Sequence, residues 1–136
     1  MKCYACFQGE VVLKAEPGRT TRYKTIPNLA IPADLEMLTC DHCGERWFTP
    51  ADAKRIDAAM EVVYRQELLA KVRAVLPDPK DADRIERDLG LSRGYLSRLR
   101  TGRKIPSEPL VAILALIHQQ PSVLKKVEAM WERPAA

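Results

Sequence analysis

Four cysteines, Cys3, Cys6, Cys40 and Cys43, form two C-x-x-C pairs separated by 33 residues. Two thiolates spaced this way can face one ion from a single tight turn, and two such turns complete a tetrahedral four-sulfur shell with no open position for water or substrate. The expected cofactor is therefore one structural Zn²⁺. A redox dithiol and paired disulfides are the competing readings. A thioredoxin-like pair needs a βαβ setting, which is missing around Cys3, and in a reducing compartment paired C-x-x-C units favour metal over disulfides. Gly44 directly after Cys43, and Gly9 three residues after Cys6, would ease the turns by tolerating positive φ. His42 lies inside the second pair and reads as an exposed loop side chain rather than a ligand.

A second chemistry is concentrated in "LGLSRGYLSRLRTGRK", residues 89–104. Its Arg93, Arg98, Arg100, Arg103 and Lys104 are accompanied by no acid. Residues 1–66 carry 9 basic and 9 acidic side chains, residues 67–136 carry 13 and 9, so the net +4 belongs to the second half. With Ser92 as the cap of a helix reaching about Arg100, a wheel at about 100° per residue puts Leu96 and Leu99 inward with Leu91 beneath them. The opposite side holds Gly94, Ser97, Arg98 and Thr101, flanked by Arg93 and Tyr95. Arginine can fork onto guanine O6 and N7, serine and threonine can bond base edges or phosphate, and tyrosine can reach phosphate or a thymine methyl. Arg100, Arg103 and Lys104 suit phosphate contact. The alternative is a solvated basic face.

The remaining residues predict the elements that hold these groups. Val11–Leu13 and Thr20–Ile26 around Pro17-Gly18 read as a hairpin, and "LEMLTC" as a third strand returning the chain to the second cysteine pair. "IPNLAIPAD" reads as an irregular loop with exposed Leu29 and Ile31, either a partner-binding edge or a plain connection. Thr49, Pro50 and Asp52 form a helix start close to a capping box. No glycine or proline follows up to Leu76, but the apolar phase shifts between Met60–Val63 and Leu68–Leu76. That shift predicts two helices with a hinge near Tyr64 to Glu67. "PDP" at 77–79, Gly90 and Pro121 punctuate further helices. The fold class expected is α+β: a small β-hairpin zinc-binding domain over 1–66 with a trailing helix, then an all-α five-helix domain over 67–136. Two short helices joined by "GLS" within it match a helix-turn-helix.

Composition narrows the function classes. No apolar run approaches the roughly 18–20 residues of a membrane span, and "MKCYACFQGE" lacks the apolar core of a secretion signal, so a cytoplasmic protein without membrane contact is expected. The closed metal shell, and the absence of a Cys/His or paired-carboxylate constellation, argue against an enzyme.

The cysteines at the N-terminus followed by "LSRLRTG" and "LVAILALIHQQPSVLKKVE" make the chain resemble the MqsA-type antitoxins over nearly its whole length. These join a zinc-binding domain to a Cro/repressor (XRE-type) helix-turn-helix domain. The resemblance implies a type II antitoxin that neutralises a cognate toxin, usually an mRNA-cleaving ribonuclease. It also implies a homodimer that represses its own operon at a palindromic double-stranded DNA operator. Cys3, Cys6, Cys40 and Cys43 match the family's zinc ligands, and Arg98 matches a base-contacting arginine. Gly94 stands where the family has a base-contacting asparagine, and Glu86 where such domains have a small alanine. The proline-rich stretch from Glu16 to Leu38 looks longer than the family pattern, so no toxin-contacting residue is carried over. A zinc-containing transcriptional regulator without a toxin partner fits the same residues. The exposed remainder of the last two helices, around Val111, Met130 and Trp131, is the expected dimer surface.

Overall fold

The computed structural model describes residues 1–132. The chain is α+β, with five short strands followed by five helices among the described residues, and it divides into two compact units, Met1–Tyr64 and Arg65–Ala136.

In the first unit, strand β1 (Val11–Lys14) pairs antiparallel with β4 (Met37–Cys40), which pairs in turn with β5 (Arg46–Trp47). Strand β2 (Thr20–Tyr23) pairs with β3 (Ile26–Ala30) in a separate two-stranded ribbon. The predicted hairpin of Val11–Leu13 with Thr20–Ile26 is therefore not formed. The Val11↔Cys40 register joins β1 directly to the second cysteine pair, a long-range pairing that local turn signals do not encode. The second predicted strand instead folds on itself at Lys24, where φ is 50°.

The loop reading of "IPNLAIPAD" is also corrected, because Leu29 and Ile31 are buried. An arginine fixes the backbone around them. Arg19, 9% exposed, donates through its guanidinium to the carbonyls of Glu16, Pro32 and Leu35, with a longer bond to that of Lys14. Buried carbonyls without partners are costly, and one planar fork satisfies several together.

Helix α1 (Pro50–Val75) starts as its sequence predicts. The Asp52 N–H donates to Thr49 Oγ1 at 3.1 Å, while the Thr49 N–H reaches back to the Asp52 carboxylate. No hinge interrupts it at Tyr64 to Glu67; α1 is one helix. Met60, Tyr64, Leu68 and Val72 are all buried at four-residue intervals. At 3.6 residues per turn such a stripe rotates by about 40° per step, and this drift is what resembles a change of phase.

In the second unit, α2 (Pro79–Asp88), α3 (Tyr95–Thr101), α4 (Glu108–Gln119) and α5 (Ser122–Glu132) enclose a core of Val72, Ile85, Leu96, Leu99, Leu110, Leu114, Ile117 and Leu124. Asp78 caps α2 and Ser107 caps α4, each side chain accepting from a backbone N–H of the first turn. Among the described residues no helix is long and apolar enough to cross a membrane.

Leu99 is fully buried and Leu116 is 55% exposed. In urea denaturation, Leu99→Ala should cost about 2–5 kcal/mol of the second unit's stability, whereas Leu116→Ala should stay within about 0.5 kcal/mol. Equal costs would contradict this core assignment.

Candidate metal centre and nucleic-acid interface

The two cysteine pairs occupy turns of the same design. Phe7 N–H donates to the Cys3 carbonyl at 3.0 Å, and Gly44 N–H to the Cys40 carbonyl at 3.1 Å. The residue after each second cysteine is left-handed, with φ 60° at Phe7 and 76° at Gly44. Glycine adopts this conformation freely, whereas phenylalanine is strained in it. Gly9 serves differently from the expectation, through space rather than positive φ. A Cβ there would stand 2.4 Å from Cys40 Sγ and 2.7 Å from Asp41 Oδ1. The turns are also laced together, since Glu10 N–H donates to Asp41 Oδ1 and Asp41 N–H to the Glu10 carbonyl.

This packing brings all four sulfurs within 4.8 Å of one another, with Cys3–Cys43 and Cys6–Cys40 each 3.7 Å apart. A tetrahedral ion with metal–sulfur bonds of about 2.3 Å requires sulfur–sulfur edges of about 3.8 Å. The four cysteines thus have the spacing to bind one metal ion. His42 is exposed and outside the cluster; only its backbone N–H takes part, donating to Cys40 Sγ as does that of Cys43.

The electrostatics call for a cation. N–H groups of Gln8 and Gly9 draw the Cys6 thiol down to about 6. Burial opposes ionisation of Cys3, but the Cys6 and Ala5 N–H groups and the sulfurs of Cys40 and Cys43 hold it below the usual thiol range. Cys43 goes the other way. The Glu45 N–H favours its thiolate, yet lost hydration and the three neighbouring sulfurs push it up to about 12. Four adjacent thiolates repel, and a divalent ion removes that conflict by binding all of them deprotonated.

In the second unit, Leu96 and Leu99 point into the core and Leu91 packs against it. Ser97 and Thr101 are exposed on α3, Ser92 and Arg93 are exposed in the turn before it, and Arg103 and Lys104 are exposed after it. Tyr95 is half-buried against the core, so it presents less of its ring than a fully outward residue. Arg98 lies against the turn. It donates to Ser92 Oγ at 2.8 Å and to the Arg93 carbonyl at 3.4 Å, with its guanidinium carbon 5.8 Å from the Tyr95 ring centre. Arg100 is tied to the Pro77 carbonyl, and its own carbonyl accepts from Arg73.

One expectation fails at the start of α3. Ser92 is not the cap; the helix begins at Tyr95, after a left-handed Gly94 with φ 81° and no side-chain cap of its own. The missing acceptor comes from α2. Glu86, 3% exposed, takes the Gly94 N–H on Oε1 at 3.1 Å and the Leu96 N–H on Oε2 at 2.8 Å. Sequence reasoning noted Glu86 as out of place but not this role. The available signal was its position between Ala82 and Leu89, both packed on the core, because a charged side chain on a buried stripe needs donors.

Gly9→Ala should weaken metal binding at least about tenfold in competition with a chromogenic chelator, since its Cβ would displace a ligand sulfur and no longer allow the turns to approach. Phe7→Gly should retain the affinity and raise stability by up to about 1–2 kcal/mol by relieving the left-handed strain. An unchanged affinity in Gly9→Ala would contradict the packing account. No family model and no curated protein matches the chain.

Proposed function

We propose that this chain is a zinc-containing antitoxin of a type II toxin–antitoxin pair that represses its own operon as a DNA-binding homodimer. The DNA-binding half is supported chiefly by α3. Opposite buried Leu96 and Leu99 it exposes Ser97 and Thr101, with Arg93 in the turn before it, Arg98 beside them and Arg103 and Lys104 beyond. With α2 before it and the turn between, α3 is the recognition helix of a helix-turn-helix in this reading, and it enters the major groove.

The roles follow from reach and donor geometry. Arg98 reads guanine with the N–H groups left over after its bonds to Ser92 and Arg93, and Ser97 and Thr101 bond neighbouring base edges or phosphate. Arg93, Arg103 and Lys104 hold the phosphate backbone. A twofold dimer places two such helices in successive major grooves about 34 Å apart, which requires a palindromic operator. Gly94 contributes closeness of backbone rather than a contact of its own.

In the first unit, Cys3, Cys6, Cys40 and Cys43 hold one Zn²⁺. A shell of four soft thiolates in tetrahedral array suits this ion, which supplies a fixed cross-link between the two turns and no reactive position. The metal therefore organises a binding module and catalyses nothing. Its assignment to a toxin, an mRNA-cleaving ribonuclease by the family resemblance, is supported by that resemblance alone, as are the homodimer and the repression of its own operon.

Arg98→Ala should weaken operator binding by about 1–3 kcal/mol and relax selection at one base pair, whereas Arg103→Ala or Lys104→Ala should reduce the slope of log affinity against log salt by about one. Unchanged binding in Arg98→Ala would remove it as a reader. Stripping the metal with a chelator should unfold the first unit reversibly, with refolding on one equivalent of Zn²⁺. The toxin assignment has its own check, co-expression with the adjacent small open reading frame, which should relieve growth arrest caused by that frame. Persistent arrest would leave a DNA-binding regulator without a toxin partner.

A further inference from the structure

We infer that Glu86 is a positioning residue for DNA reading, fixing from the interior of α2 where α3 begins and therefore where Arg98 is presented; the inference rests on the DNA-binding function proposed above. An ordinary helix start is capped by its own Ser, Thr, Asp or Asn, whose side-chain oxygen accepts from a first-turn N–H. Here that place is held by Gly94, which has no side chain to offer and is left-handed at φ 81°. Both oxygens of Glu86 take over, bonding the N–H of Gly94 and of Leu96. At 3% exposure Glu86 cannot reach DNA, so any influence on reading passes through α3.

The link to the reading face is short. The first helical bond of α3 runs from the Arg98 N–H to the Gly94 carbonyl at 3.1 Å, so the capped residue and the reader are one turn apart. Gly94 also lies under the Arg98 side chain. A Cβ at Gly94 would come 3.3 Å from Arg98 Nη1, and a residue with a side chain would be strained at this φ. Glu86 and Gly94 thus form a matched pair. The glycine leaves room for the arginine and gives up the local cap, and the carboxylate replaces that cap from the preceding helix. A cap on a rigid, buried side chain holds a reading helix more firmly than one on an exposed loop.

The test uses the full-length, metal-loaded protein and two duplexes of equal length, one covering the DNA upstream of its own gene and one of random sequence. Wild type, Glu86→Ala, Glu86→Gln, and Glu86→Ala combined with Gly94→Ser are compared for the ratio of the two affinities and for amide hydrogen exchange at Gly94 and Leu96. Glu86→Ala should speed exchange at both amides at least about tenfold and cut the affinity ratio by about tenfold, leaving random-duplex binding and its salt slope unchanged. Glu86→Gln, nearly the same shape, keeps one acceptor and should fall between; it serves also if the alanine variant does not fold. Adding Gly94→Ser to Glu86→Ala should recover none of the ratio, because a serine is strained at this left-handed φ and cannot take the extended conformation of a local cap. Unchanged exchange, or an unchanged affinity ratio, in both single variants overturns the positioning role, as does equal loss of binding to both duplexes. A wild type that does not distinguish the duplexes overturns the DNA-reading function itself, a result separable from the exchange data.

Discussion

Each unit is held by side-chain acceptors bonded to backbone N–H groups. In the first unit the acceptors are cysteine sulfurs, which receive N–H groups from Ala5, Cys6, Gln8, Gly9, His42, Cys43 and Glu45. In the second the acceptor is the Glu86 carboxylate, bonded to Gly94 and Leu96. Burying such groups without donors is costly, so the chain folds only where its backbone can supply them. Phe7, Gly44 and Gly94 are left-handed in these turns.

The apolar cores then differ in kind. Among the described residues, Val11 is the one other buried hydrophobic residue in the cluster around the cysteines, with Leu38 and Trp47 packed beside it. So small a cluster offsets little of the entropy of ordering these two turns, and a metal held by the four cysteines would cross-link them. Away from the cysteines the first unit also buries Leu29, Ile31, Leu35, Met37, Met60 and Tyr64, and polar ties add to that apolar area. The Tyr23 hydroxyl lies within hydrogen-bond distance of the Asp57 and Glu61 carboxylates and has one proton to share between them, and burial together with those carboxylates raises its pKa well above the ordinary tyrosine value; Lys24 sits 4.4 Å from the Tyr64 ring centre and bonds Glu61. These contacts fasten the β2–β3 ribbon to the start of α1. In the helical unit eight buried apolar residues form one continuous cluster.

Much of this was legible in the chain where the physics is local. The spacing of the cysteines, the Thr49–Asp52 capping box, and the inward pair Leu96 and Leu99 depend on residues a few positions apart, and the structure has each of them as read. What escaped depends on distant partners. Val11 pairs with Cys40 instead of with the nearer strand, and Leu29 and Ile31 are buried beside a backbone that Arg19 knits from below. The cap of α3 escaped for the same reason, with its acceptor on another helix. The two departures from the resembled family, Glu86 and Gly94, looked like independent oddities in sequence and are joined by a 3.1 Å hydrogen bond in the structure. The supposed hinge in α1 was a slow rotation of one buried stripe, which a short window reads as a break.

In the proposed function the two units divide the labour, a metal-organised module for a protein partner and a helical module for an operator. The claim on which the rest turns is that α3 occupies a major groove, twice per dimer. Hydroxyl-radical footprinting of the metal-loaded protein on the DNA upstream of its own gene tests it directly. The account predicts two protected half-sites related by a dyad, with centres about 10 base pairs apart or a multiple of that, fading as salt rises. Uniform protection along the duplex, or none at a protein concentration that saturates the metal site, would contradict it.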